Sequence, residues 1–402
     1  MNPTPSTAPP DAANTSDAPV VAVPQRNRSE LFLEALQQRV YSAVGITAEE
    51  CQHREWVGQQ TILPVRLQQK AEQLSPSEFA HYRAAVLDAL TRDELLPRPT
   101  AFERPHQYSI LRGLKVSVED ALSELAIPLP FRPVVGTLPT RLLEPLMVRV
   151  PGTEEVVMLV DGGLLTYVHL LAKAIAHALP PEVWDGDMME VGPGEWDGPF
   201  DPEGVATQRF IELMMAAVNG TPASAPMYAP KASCEQTTAA LCECMELFII
   251  AREYARLAEG HHLVAGTEAR QAFGQTFEAL VWTAPQELHA DALGFGLMLA
   301  AAGSKGESAR LAYWSADILL ASFGIIERAI MAMQSPVGVP MVTLPPTIFD
   351  ERRTQLQQLV RHLEGGDRAL AFAAALDPVI RGLAERFEMV LQDIRPGSGQ
   401  VH

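Results

Sequence analysis

Phe248-Ile249-Ile250-Ala251-Arg252-Glu253-Tyr254-Ala255-Arg256-Leu257-Ala258-Glu259-Gly260-His261 closes a helical pattern that runs from Gln236 to Glu259. Arg252 and Arg256 stand at i and i+4, which places both on one face of that helix with Glu253 beside them. Gly260 ends the pattern. Downstream, Glu287-Leu288-His289-Ala290-Asp291-Ala292-Leu293-Gly294 lies in a second helical segment, from Pro285 to Ala302. The stretch between, Glu268 to Trp282, also predicts a helix. Taken alone, arginines at i and i+4 are what any solvated helix face carries. Their joint occurrence with Gly260-His261, the spaced acids Glu287 and Asp291, and an upstream hairpin followed by Gly163-Leu164-Leu165 argues against that reading.

Working outward, Leu146 to Val150 and Val156 to Val160 read as a β-hairpin turned at Pro151-Gly152-Thr153, with a further strand-like run from Pro133 to Leu138. Gly162-Gly163 closes the strand, and Leu164 to Leu179 is a helix that stops at Pro180-Pro181. Taken together, these segments resemble the gluzincin-type zinc metallopeptidases, a group that includes the minigluzincins. Their core reads H-E-x-x-H, often followed by G-H, and later E-x-x-x-D with an Ala before the Asp. The resemblance covers roughly residues 131 to 300, including the hairpin and the Gly-Leu-Leu helix start. In that family two histidines hold zinc, the glutamate between them polarises the metal-bound water, and a third ligand comes from another helix.

Carried over residue by residue, the resemblance puts the two histidines on Arg252 and Arg256, the general base on Glu253, the third ligand on Glu287 and an outer acid on Asp291. A guanidinium stays protonated at any accessible pH and has no lone pair for a cation. The expectation is therefore a pseudo-active site of Arg252, Glu253, Arg256, His261, Glu287 and Asp291, with no metal and no turnover. The arginines should pair with Glu287 and Asp291, with His261 packed beneath the helix. The fallback metal ligands are His261, His262, Glu287 and His289, with zinc as the cofactor in that reading only. Positions 287 and 289 are about 200° apart around a helix, which argues against both facing one ion. His169 and His177 read as polar-face or core residues.

The rest of the chain bounds the function. Lys and Arg number 31 against 49 Asp and Glu, a formal charge of −18 that disfavours nucleic acid and anionic membrane surfaces. The most apolar segments, Ala292 to Ala302 and Leu311 to Met333, are either short or carry Asp317, Glu327 and Arg328, so no membrane span is expected. Four cysteines fit a reducing compartment, bacterial cytoplasm by default, with export by a non-Sec route left open. Cys242 and Cys244 diverge on a helix and read as ordinary thiols. No G-x-S-x-G elbow, Walker A or post-strand G-x-G-x-x-G is present.

Residues 1–28 are a Pro/Ala/Ser-rich tail whose composition predicts disorder. Residues 29–130 form a helical N-terminal region, with helices over Glu30 to Val44, Ser75 to Leu90 and Ser117 to Leu125. The metallopeptidase-like core is 131–304, and 305–402 is a C-terminal helical extension. Glu182 to Glu203 is an acidic loop that lacks an EF-hand's ligand pattern and reads as solvated. The fold class is mainly α with a small β element. The leading functional reading is a pseudopeptidase that binds a protein or peptide partner, an edge strand within 146–160 accepting an extended segment. The alternatives are an active hydrolase with displaced ligands, and an assembly protein that forms homo-oligomers through its C-terminal helices.

Overall fold

A computed structural model of the chain describes residues 26–51, 63–64, 67–68, 70–179, 204–228, 230–304, 309–335 and 344–394. The tail up to residue 25 and the acidic loop at 182–203 lie outside the described residues. The molecule is mainly α with two small sheets.

The first sheet comprises β1 (Val134–Thr137), β2 (Leu146–Arg149) and β3 (Val156–Val160), in the order β1-β3-β2. The predicted hairpin is β2-β3, antiparallel, with Gly152 at φ +70 in its turn. The strand-like run at 133–138 joins as β1, parallel to β3. All five β3 residues are buried. Leu146, Val148, Val157 and Leu159 face one apolar cluster with Leu33, Leu36 and Val40 of α1 (Arg28–Ser42). Met147, Val156, Met158 and Val160 face the other, with Leu111, Leu114 and Val118 of the helix at Pro105–Glu124. A sheet covered on both faces needs apolar residues at every position, which is why β3 reads as a continuous run rather than an alternation.

The N-terminal helices include α1, α2 (Pro76–Leu95) and α3 (Pro105–Glu124). Asn27 and Ser75 cap the first two with reciprocal Glu30 and Glu78 contacts. Ser117 was expected to cap a short helix; instead α3 starts at Pro105, and the Ser117 hydroxyl donates to the Gly113 carbonyl within it at 3.1 Å. A serine satisfied by the preceding turn does not end a helix whose apolar face continues.

After β3, Asp161 caps α4 (Gly162–Ala178) by accepting from Gly163 N at 2.6 Å. The remaining helices are α5 (Val205–Val218), α6 (Glu235–Ala258), the short α7 (His261–Val264), α8 (Ala284–Ser304), α9 (Ala309–Gln334), α10 (Ile348–Arg361) and α11 (Gly366–Ile394). One apolar core runs from Leu111 of α3 to Leu391 of α11. α4 and α6 are buried nearly all round, as helices at the centre of a large core must be.

The segment Glu268 to Trp282 is not a helix. It is a second hairpin, β4 (Gly266–Ala272) and β5 (Gln275–Val281), paired Gly266↔Val281 to Ala272↔Gln275. Its two-residue loop, Phe273-Gly274, has φ +47 and +75. That is the backbone a tight hairpin turn demands, and glycine supplies half of it without cost. Phe277 and Ala279 then alternate inward onto the α1 side of the first sheet. Helix-favouring Glu, Ala, Arg and Gln here yield to turn chemistry and tertiary contact.

Candidate functional site: a buried cluster of arginines and carboxylates

Helix α6 presents Arg252, Glu253 and Arg256 to α8, and all three are buried. The two helices approach backbone to backbone at Gly294, where a Cβ would sit 2.8 Å from Arg252 Cα and 2.9 Å from its N. Only glycine lets the helices approach this closely, and the approach brings Glu287 and Asp291 onto the arginines.

Arg252 donates to Glu287 Oε2 at 2.6 Å, and its Nε lies 2.5 Å from Asp291 Oδ1. Arg256 reaches both Glu287 oxygens at 2.7 Å and also pairs with Glu253. The expected ion pairs are therefore formed. Two further residues complete the cluster. Arg352 of α10 grips Asp291 bidentately, at 2.6 and 2.9 Å, and donates to Glu144 at 3.2 Å. Glu144 also lies 3.7 Å from Arg252. The Arg256 guanidinium stacks 4.9 Å from the Trp282 ring, and that of Arg352 5.0 Å from Phe349.

Sequence reasoning missed Arg352 and Glu144, which come from outside the two helices. One signal pointed to the missing cation: two arginines against Glu253, Glu287 and Asp291 leave one negative charge unbalanced.

Burial raises the Glu287 pKa, but Arg252, Arg256 and Arg352 more than offset it and hold the carboxyl below its usual range. Glu253 goes the other way: burial pushes it up and Arg256 and Arg252 only partly compensate. Its Oε2 is buried with no hydrogen-bond partner among the described residues.

The cluster does not fit a zinc ion. The residues at the two helical ligand positions offer no lone pair, and Glu287 has both oxygens engaged by Arg256. Nor is Glu253 placed to activate water, since it is buried against Arg256.

The histidines divide. The His262 ring packs edge-on to Phe131 at 5.4 Å, and its carbonyl accepts from Arg149. The His261 ring lies 6.3 Å from that of His289, and its Nε2 is 3.0 Å from Glu259. Burial lowers the His261 pKa, with Glu259 opposing. The fallback ligand set is thus split: Glu287 serves the arginines, His262 packs elsewhere, and Glu259 stands with His261 and His289 instead. His177 accepts from Lys231 N at 3.0 Å, and His169 Nδ1 lies 3.9 Å from Cys242 Sγ. Burial raises the Cys242 thiol pKa well above its ordinary value. No disulfide joins the cysteines.

No protein-family model, curated protein or solved structure matches the chain. Among the described residues, no helix is long and apolar enough to cross a membrane.

Proposed function

We propose that the chain is a catalytically inactive, metallopeptidase-like protein, a pseudopeptidase that binds a protein or peptide segment without cleaving it. The observation that carries this reading is the placement of Arg252 and Arg256 among Glu253, Glu287 and Asp291. In the gluzincin-type arrangement, a divalent cation and its two histidine ligands stand where these two guanidiniums do. Two arginines supply the same +2, so the carboxylates keep their neutralising charge while the Lewis acid is lost.

The free strand edge that suits an extended partner is β4. β2 is also an edge strand, but three of its four residues are buried, whereas most of β4 is exposed and pairs with β5 alone among the described residues. Exposed Leu263 and Val264 immediately precede it and offer apolar anchorage. The four cysteines without a disulfide support a cytoplasmic setting.

Two measurements test the reading. Incubation with an extended-peptide library in zinc-containing buffer should return every peptide intact by mass spectrometry. Cleavage that disappears in Glu253→Gln would overturn it and favour the displaced-ligand hydrolase. The second swaps the cation in a His289→Ala background, which silences the neighbouring histidine pair. Arg252→His with Arg256→His should lose several kcal/mol of stability in chelator, by stranding buried carboxylates, and regain it with zinc. A folded double variant indifferent to zinc would show that the mapping onto H-E-x-x-H is mistaken.

A further inference from the structure

We propose that Glu259, His261 and His289 form a binding site for a divalent transition-metal ion of the zinc class, outside the arginine cluster. One carboxylate oxygen and one nitrogen from each imidazole lie within 4.8 Å of one another. Tetrahedral ligands about 2.1 Å from one ion stand about 3.4 Å apart, so closure requires side-chain movement of about 1 Å. Glu259 and His289 are exposed and free to make it.

The local sequence builds half of the site. Glu259 ends α6, Gly260 turns the chain at φ +70, and His261 opens α7, which folds the two side chains together with Nε2 and Oε2 3.0 Å apart. Gly260 is needed there because that φ is costly for any residue with a Cβ. The helix α8 supplies His289, whose ring lies nearly parallel to that of His261, at 26°. Glu287, two residues earlier, turns to the arginines, so the two sites share α8 without sharing a ligand.

The surroundings favour a cation. The last turn of α6 directs its carbonyls, the negative end of the helix dipole, toward this corner. The nearby Arg256 charge is already matched by Glu253 and Glu287. The His261 side chain is 11% exposed, and its Nε2 already faces the Glu259 carboxylate. Two imidazoles and one carboxylate select zinc, nickel or copper over magnesium or calcium. Three protein ligands leave a fourth position for water or for a donor from a docked partner.

The test uses the tag-free, chelator-treated full chain titrated with zinc chloride in a calorimeter. One zinc per chain is expected, with a raised Tm, since the ion binds the folded state only. His289→Ala should lower affinity at least about tenfold. The exposed His362→Ala should leave it unchanged. Equal melts of the three proteins in chelator confirm that His289→Ala folds. Absence of saturable binding, full affinity in His289→Ala, or an equal loss in His362→Ala would each overturn the proposal.

Discussion

Arg352 has the most to lose by substitution. It is buried, it grips Asp291 through two nitrogens, and it donates to Glu144. Removing one member of a buried ionic set leaves the remaining charges without compensation. Arg352→Met should therefore lower unfolding stability by about 3 kcal/mol, read from urea melts. Arg92, whose pair with Asp88 is exposed on both sides, should give no measurable change on the same substitution. Helix periodicity put Arg252 with Arg256, and Glu287 with Asp291, on one face each, and the resemblance to the gluzincin-type core set the two pairs against one another. Arg352 was not legible in the sequence, because no local spacing connects α10 to α8.

At the scale of elements, the crossing of α6 and α8 rests on Gly294. A methyl group there would meet Arg252 backbone at 2.8 Å, which neither helix can relieve by rotating a side chain. Gly294→Ala should cost about 1–3 kcal/mol or more and loosen the Arg252 contacts to Glu287 and Asp291. Gly296, two residues on, faces open space: a methyl group added there would meet nothing within 4 Å, so Gly296→Ala should stabilise the protein by up to about 1 kcal/mol. Thermal melts of the two variants should move in opposite directions. The second hairpin is the element that sequence periodicity misread. Phe273-Gly274 was the available signal, a glycine in a two-residue gap between runs that could alternate. Gly274→Ala should destabilise the protein by about 1 kcal/mol through its positive φ alone.

At the scale of the whole molecule, α1 is joined to the first sheet through a buried polar knot. Gln37 and Thr137 donate to Glu103, and Thr100 donates to Gln37. Burial pushes the Glu103 carboxyl up to about 7, with the donors from Thr137 and Gln37 opposing. A carboxyl raised on folding contributes stability that is full below its unfolded value, about 4.5, and is lost as pH rises through about 7. Unfolding free energy should fall by at most about 3 kcal/mol between about pH 5 and about pH 8, and Glu103→Gln should flatten that slope in urea melts at the two pH values. The C-terminal helices belong to the same body: α9, α10 and α11 bury Trp314, Leu356, Phe387 and Leu391 in the main core, and α10 carries Arg352. Oligomerisation through them is accordingly a question for light scattering on the full chain, because truncation at 305 would expose that core.

The sequence by itself determined what depends on neighbours a few residues away: the helix faces of α6 and α8, the capping of α2, and the β2-β3 hairpin with its Pro-Gly turn. Tertiary structure alone decided the parallel docking of β1, the third arginine, and the meeting of Glu259 and His261 with His289. Each of these depends on groups far apart in the chain. Local periodicity carries no record of which distant charge will be buried beside which, because that is settled only when apolar surfaces close and an unbalanced charge must find its partner.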